Sequence, residues 1–201
     1  MSGKHVAKNQ PSNFEFSNEN KIKIDEILKK YPDNKKKSAV MPLLYIAQRQ
    51  NNNWIPLAAI QLIADMLETA YIKVYEVATF YTMYNLAPVG KYFVQVCTTT
   101  PCMIRGSGKV VEMCKKHISE KQGHVNKDLD SSWIEVECLG ACVNAPMVQI
   151  NDDYYEDLNA EKAEKIFNSF KEGTLPKIGS QSGRRGSEPI QNRTTLLDKN
   201  A

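Results

Sequence analysis

The sequence predicts an α+β protein in which a small helical bundle is followed by a two-layer α/β domain. Apolar residues recur at helical spacing in the first part, whereas the short segments 91–97 and 132–138 alternate and are rich in β-formers. The pattern changes at Pro88-Val89-Gly90. We therefore expect four regions: a flexible N-terminus 1–17, a helical bundle 18–86, an α/β domain 87–172 and an extended C-terminal tail 173–201.

Four helices are predicted in the bundle. The first carries Ile24, Ile27 and Leu28 at helical spacing and ends at Tyr31-Pro32. The lysine run 35–37 is expected to be a solvated turn, after which Ser38 caps the second helix. The third helix begins near Pro56, and the fourth runs through the segment 74–81. This bundle is interpreted as a packing and docking module.

The second part alternates strands and helices. Strand 91–97 is followed by a loop at 98–101 and a helix from Gly106 to about His117. After strand 132–138, a hairpin is expected around the Asx-rich turn 151–153. Asn159 is placed to cap a last helix through Phe170. The order β-α-β-β-β-α is that of a thioredoxin-like domain.

Composition excludes several function classes. The 201 residues carry a net charge of only +3, with basic residues spread along the chain. The segment YIKVYEVATFYTMYN holds one lysine and no arginine, so a DNA-reading helix is disfavoured. No stretch approaches the roughly 18 apolar residues of a membrane span. The polar start lacks the apolar core of a secretory signal, and a mitochondrial presequence is not expected either.

Four of the five cysteines form two close pairs. Cys97 and Cys102 have C-x4-C spacing, Cys138 and Cys142 have C-x3-C spacing, and 35 residues separate the pairs. Both pairs follow predicted strands, so we expect them to meet at one end of the sheet. Four thiolates suit either a [2Fe–2S] cluster or a structural zinc ion, and the wide C-x4-C loop favours the elongated cluster. Cys114 lies on an apolar helical stripe and is interpreted as packing.

Small residues surround the thiols. Gly140 and Ala141 lie between the second pair, and Gly106 follows the first pair. Such residues let backbone N–H groups approach the sulfurs and raise the reduction potential, although ordinary turns explain them too. No catalytic constellation and no Gly-rich nucleotide loop accompanies the cysteines. The sequence thus favours an electron carrier, with a zinc-stapled interaction module and a free ferredoxin as alternatives.

Three segments carry a specific resemblance: TFYTMYNLAPVGKY, CTTTPCMIRG and ECLGACVNAPMVQIND. They closely resemble the thioredoxin-like [2Fe–2S] subunits of bacterial NADH–quinone oxidoreductase (respiratory complex I), which are homologous to the smaller flavoprotein-fraction subunit of the mitochondrial complex. The resemblance covers roughly residues 20–175. It implies that Cys97, Cys102, Cys138 and Cys142 hold one [2Fe–2S] cluster.

The resemblance also implies a place for the chain in a larger assembly. The cluster would accept electrons from the FMN of a neighbouring subunit, which also binds NADH, so this chain holds neither. Other peripheral-arm subunits of complex I are further expected partners, on the cytoplasmic side of the bacterial inner membrane, with no nucleic acid and no direct membrane insertion. We expect loss of residues 176–201 to weaken assembly and spare the cluster. Subunits of NAD-linked hydrogenases and formate dehydrogenases share these motifs and remain alternatives.

Overall fold

The computed structural model describes residues 5–189, 191 and 195, and the chain forms two compact units, 1–89 and 90–201. Parts of the expected N-terminal region (1–4) and of the expected tail (190, 192–194 and 196–201) lie outside the described residues. Each unit is described by itself below.

The first unit is helical, as predicted. Its helices are α1 (Asn18–Leu28), α2 (Val40–Gln50), α3 (Leu57–Met66) and α4 (Tyr71–Phe80). The Ser17 hydroxyl caps α1 by accepting the Asn20 N–H at 3.2 Å. The expected cap at Ser38 is wrong, because a 3-10 helix (Asp33–Ala39) contains both the lysine run and Ser38 and leads directly into α2, whose N-cap is Ala39.

One apolar core holds the first unit together. It is built from fully buried side chains of all four helices and of the connecting segments, among them Ile24, Leu43, Leu44, Ile55, Ile60, Ile63 and Val74. The segment after α4 returns over this core, where the Tyr84 hydroxyl donates to the Met41 carbonyl at 3.0 Å. The Gln48 amide also pairs with this segment, since it donates to Met83 O and accepts from the Asn85 N–H. These bonds satisfy buried polar groups that the helices leave unpaired.

The second unit is an α/β domain. Its strands are β1 (Tyr92–Cys97), β2 (Ser131–Val136), β3 (Val148–Ile150), β4 (Asp153–Glu156) and β5 (Gly179–Ser180), and its helices are α5 (Thr100–Ile104), α6 (Ser107–His117) and α7 (Ala160–Ser169). Asn159 caps α7 as predicted, by accepting the Lys162 N–H at 2.9 Å. Helices α6 and α7 cover a core that includes Val94, Trp133, Ile150 and Phe167.

The sheet topology decides where the cysteines lie. Within the described residues the strand order is β2-β1-β3-β4-β5. Strand β1 is parallel to β2 and antiparallel to β3, with Cys97 opposite Val136 and Val96 opposite Val148. The ends of β1 and β2 and the start of β3 therefore share one edge of the sheet, and the loops that carry the other cysteines leave from that edge.

Three local predictions need correction. Residues 98–101 are not all loop, because the short helix α5 begins at Thr100 and contains Cys102. Strand β2 ends at Val136, so Cys138 lies two residues beyond it and not at its last residue. Residues 173–201 were expected to form an extended tail, yet this segment contains β5, which pairs with β4 in parallel.

Candidate metal centre

The structure brings all four predicted cysteines to the same edge of the sheet. Cys97 is the last residue of β1, and Cys102 follows on α5. Cys138 lies after β2, and Cys142 begins a 3-10 turn (Cys142–Asn144) that precedes β3. None of the five cysteines is in a disulfide. The two pairs also interact, since Cys97 adds to the effects of the Cys138 thiol and of burial, which together raise the pKa of Cys142.

The first pair is buried. Cys97 is 2% exposed and Cys102 is 1% exposed, packed with Ala145 and Met147. Burial works to raise the pKa of Cys97, but hydrogen bonds from Thr99 and from the Leu139 backbone outweigh it and leave the pKa below its ordinary value. Burial and the neighbouring Cys97 thiol raise the pKa of Cys102 to about 12. Of the two thiols, that of Cys97 therefore loses its proton more readily.

The second pair is exposed and close. The sulfurs of Cys138 and Cys142 lie 3.4 Å apart, and the Gly140 N–H donates to the Cys138 sulfur at 3.4 Å. This N–H and the Cys142 thiol lower the pKa of Cys138, whereas the same thiol–thiol contact raises that of Cys142. Gly140 has φ +81°, which an L side chain adopts only with strain, so glycine here is needed for the turn that aims the N–H at sulfur.

Thr99 links the two pairs. Its hydroxyl lies 3.4 Å from the Cys97 sulfur and also contributes a hydrogen bond that lowers the pKa of Cys138. A hydroxyl between sulfurs stabilises negative charge on either of them. Sequence reasoning missed this residue, although its place within CTTTPC was visible.

The predicted small residues have different roles. The Gly140 N–H contacts a sulfur, as expected. The Gly106 N–H does not, because it donates to the Met103 carbonyl at 3.1 Å, and Gly106, with φ +98°, is the N-cap of α6. Ala141 is partly buried against the cluster that contains Cys97, Cys102, Ala145 and Met147, where its small side chain allows close packing.

Tyr154 is a second residue that the sequence did not reveal. Its hydroxyl donates to the Leu139 carbonyl at 2.8 Å and so anchors the loop between Cys138 and Cys142. Tyr154 lies on β4, 15 residues from Leu139. A tyrosine in a hairpin gives no sequence signal for this contact.

Cys114 is set apart from the site. It is fully buried in the core between sheet and helices, and burial strongly raises the pKa of its thiol. A thiol that resists deprotonation in an apolar core is a poor metal ligand. The interpretation of Cys114 as a packing residue agrees with its position.

The donor set suits a centre with two metal ions. The four thiols form two close pairs, Cys97 with Cys102 and Cys138 with Cys142. Two pairs of thiolates can bind two irons, with two thiolates on each iron.

A comparison of the sequence with protein families decides the family. Residues 24–171 match the family described as thioredoxin-like [2Fe-2S] ferredoxin. The chain belongs to this family. The match spans the helical unit as well as the cysteine-bearing domain, and so it agrees with the α+β architecture and the resemblance seen in the sequence.

Curated relatives are similar over most of the chain. A subunit of the NADH-quinone oxidoreductase of Rickettsia bellii is 56% identical over 160 residues, which are 80% of this chain and 96% of the relative. The corresponding NADH-quinone oxidoreductase subunit from Rickettsia typhi is 54% identical over 78% of this chain and 92% of its own length. The mitochondrial NADH dehydrogenase [ubiquinone] flavoprotein 2 of Dictyostelium discoideum is 47% identical over 94% of this chain and 77% of the relative.

Solved structures share the fold. A chain of an NAD+-reducing [NiFe]-hydrogenase in the H2-reduced state superposes with a TM-score of 0.56 at 16% identity. The similarity covers 67% of this chain and 23% of the hydrogenase chain, so it concerns under a quarter of that larger chain. At this identity the likeness establishes the fold alone.

Proposed function

We propose that Cys97, Cys102, Cys138 and Cys142 hold one [2Fe–2S] cluster, the first pair on one iron and the second pair on the other. The observation that carries this proposal is the convergence of two thiol pairs at one edge of the sheet. When bound, such a cluster supplies one-electron transfer. The chain's own residues hold the thiolates, donate hydrogen bonds to the sulfurs and shield the first pair from water.

The names of the relatives indicate the enzyme complex in which this cluster would work. We propose that it is the electron-carrying [2Fe–2S] subunit of an NADH-quinone oxidoreductase and accepts electrons from the FMN of a neighbouring subunit. NADH and FMN would be bound by that partner, with further contacts to other peripheral-arm subunits. No helix among the described residues has the length and apolar character needed to cross a membrane. We place the protein on the cytoplasmic side of the bacterial inner membrane, as a peripheral part of the complex.

The exposed pair supports a proposal for the face that docks on the flavin-bearing subunit. Cys138 and Cys142 are exposed, whereas Cys97 and Cys102 are buried. Exposed apolar side chains adjoin the cysteines in sequence: Val143 at 69%, Met103 at 60% and Ile104 at 75% exposure. A redox partner must approach the metal closely, and exposed apolar residues beside a charged site favour a protein interface. We propose that this face docks on the FMN-bearing subunit.

The cofactor proposal is tested by iron, sulfide and zinc analysis of the anaerobically purified full chain, with EPR after dithionite reduction. We expect about two irons and two sulfides per chain and an S = 1/2 signal, as for one [2Fe–2S] cluster. One zinc without acid-labile sulfide, persisting after iron–sulfur reconstitution, would contradict the proposal and favour the zinc-stapled interaction module.

The docking proposal is tested with paired substitutions of exposed valines. Val143→Asp places a charge beside the exposed pair, whereas Val125→Asp places one in the loop before β2, at the opposite edge of the sheet. Affinity for the purified FMN-bearing subunit is measured, and EPR confirms that both variants keep the cluster. We expect at least about tenfold weaker binding for Val143→Asp only, since a charge would be buried. Equal effects of both variants would refute this docking face.

A further inference from the structure

Residues 179–188 of the C-terminal tail pack on the cysteine-bearing domain. We call residues 179–188 the tail strap. It begins with β5, which pairs with β4, and the Gln181 N–H continues this pairing by donating to the Glu156 carbonyl at 2.9 Å. The strap then crosses the loop that follows Cys142. Its contacts are with this chain and need no partner.

Arg184 is the main anchor of the tail strap. Its guanidinium binds the Asp157 carboxylate through Nε and Nη2, and the two side chains are only 8% and 7% exposed. The same Nη2 donates to the Val143 carbonyl at 3.1 Å. Ser180 also donates to Asp157. One planar guanidinium therefore joins a buried carboxylate to the residue directly after Cys142.

Asn144 provides a second connection. It is 2% exposed, and its Nδ2 donates both to Gly186 O at 2.9 Å and to Glu156 Oε2 at 2.6 Å. The backbone carbonyl of Asn144 accepts the Asp157 N–H at 2.8 Å. The strap thus contacts each of the two residues that follow Cys142, one through Arg184 and one through the Gly186 carbonyl.

The loop needs this support because it has little regular structure of its own. Cys142–Asn144 is a 3-10 turn of three residues, and Cys142 and Val143 are exposed. A short exposed turn is ordered by its tertiary hydrogen bonds and not by propensity. Charge-assisted bonds such as that from Arg184 are roughly twice as strong as neutral ones.

We propose that the tail strap positions Cys142, with Arg184 as the positioning residue that orders the Cys142–Asn144 turn and thereby retains the cluster. This inference rests on the proposed role of Cys142 as a ligand. The strap contacts predict that a chain ending before Gly179 loses its cluster faster, which is the opposite of the expectation that loss of the tail spares the cluster.

The test compares Arg184→Ala with Arg185→Ala in the full chain. Both remove one positive charge, but Arg185 is exposed and its bond to Glu188 uses the backbone N–H. Hydrogen exchange of the backbone amides of residues 139–145 is measured in the metal-free chain. Cluster loss to a ferrous chelator and the EPR spectrum are measured in the holo chain. For Arg184→Ala we expect about tenfold faster exchange and at least about fivefold faster cluster loss.

Arg184→Lys is the second variant, for use if Arg184→Ala does not fold. Lysine can pair with Asp157, but its single nitrogen cannot reproduce the guanidinium fork that also reaches Val143 O. We expect it to keep most of the thermal stability and still to show faster exchange at 139–145.

The outcomes separate this inference from the proposed function. Exchange and cluster loss within twofold of the Arg185→Ala values, in whichever Arg184 variant folds, would overturn the positioning role. If the wild-type chain bound no iron–sulfur cluster, the proposed function would fail, and the strap would then be judged by the exchange of the metal-free chain alone.

Discussion

The two cysteine pairs are held in different ways. Cys97 and Cys102 are buried against Ala145 and Met147, at the end of a central strand and on a short helix. Cys138 and Cys142 are exposed on a loop that is fixed by hydrogen bonds from Gly140, Tyr154 and the tail strap. The first pair is positioned by apolar packing, whereas the second is positioned by polar contacts. Changes to the two pairs should therefore have different signatures.

Substitution of a proposed cluster ligand should have the largest effect on cluster retention. Cys138→Ser replaces a thiolate with a poorer oxygen donor and should abolish or severely destabilise the cluster. Cys114→Ser should leave the iron content unchanged, because Cys114 lies in the core away from the site. Iron content and visible absorbance of the two variants are the measurements. Bleaching by Cys114→Ser but not by Cys138→Ser would show the ligand assignment to be wrong.

Packing beneath the first pair is expected to have the next largest effect. Met147 is 1% exposed and lies in the same buried cluster as Cys97 and Cys102, so Met147→Ala leaves a cavity and should lower the free energy of unfolding by about 2–5 kcal/mol. Met103→Ala, at a side chain that is 60% exposed, should change it by less than about 0.5 kcal/mol. Urea unfolding of the metal-free chain measures the free energy of unfolding of both variants. Similar losses in the two variants would contradict the packing argument.

Low pH should weaken the ion pair between Asp157 and Arg184, through which the tail strap supports the second cysteine pair. Arg184 and Ser180 outweigh burial and hold the pKa of Asp157 below its ordinary value. A carboxylate with a lowered folded pKa stabilises the chain above its unfolded pKa, near 4, and this contribution is lost as the pH falls through the folded pKa.

Asp157→Asn should therefore lower the free energy of unfolding by about 2–3 kcal/mol at pH 7, where the Arg184 ion pair is intact, and by progressively less below about pH 4. Urea unfolding of metal-free wild type and variant from pH 7 to pH 3 measures this. A difference that stays constant over that range would show that Asp157 does not stabilise the fold as a carboxylate.

Loss of the hydrogen bond between Tyr154 and the Leu139 carbonyl should have a smaller effect on stability. Tyr154→Phe removes the hydroxyl that donates to the Leu139 carbonyl and should cost about 1 kcal/mol of local stability. Hydrogen exchange should rise at 138–142 and remain unchanged at Cys97–Cys102. Tyr31→Phe, in the first unit, is the control. If hydrogen exchange became equally faster around both cysteine pairs, the two pairs would not be stabilised independently.

The smallest change is expected at Thr99. Thr99→Val keeps the shape and removes the hydroxyl beside the Cys97 sulfur, so the reduced cluster loses one hydrogen bond. The midpoint potential should fall by about 20–60 mV, which corresponds to one ordinary hydrogen bond in a one-electron couple. Thr100→Val, at an exposed position, should leave the potential unchanged. An equal or higher potential in Thr99→Val would exclude this role.

Much of the fold was predictable because the apolar pattern of each segment agrees with the helix or strand that it forms. The apolar spacing of the bundle and the alternation of 91–97 predicted the main helices and strands, and parallel pairing of β1 with β2 places their ends together. The short helix α5 was missed, since five residues show no helical periodicity. Strand β5 was missed because Gly179-Ser180 carries no strand signal and depends on pairing with β4.

Four cysteines in two close pairs, and a glycine between the second pair, could be read from the chain without a structure. That one pair is buried and the other exposed, and that Thr99, Tyr154 and Arg184 support them, became visible in the folded chain. Spacing along the chain is local information. Burial and hydrogen bonding depend on partners far apart in the chain, such as Val143 and Arg184, which are 41 positions apart and are brought together by folding.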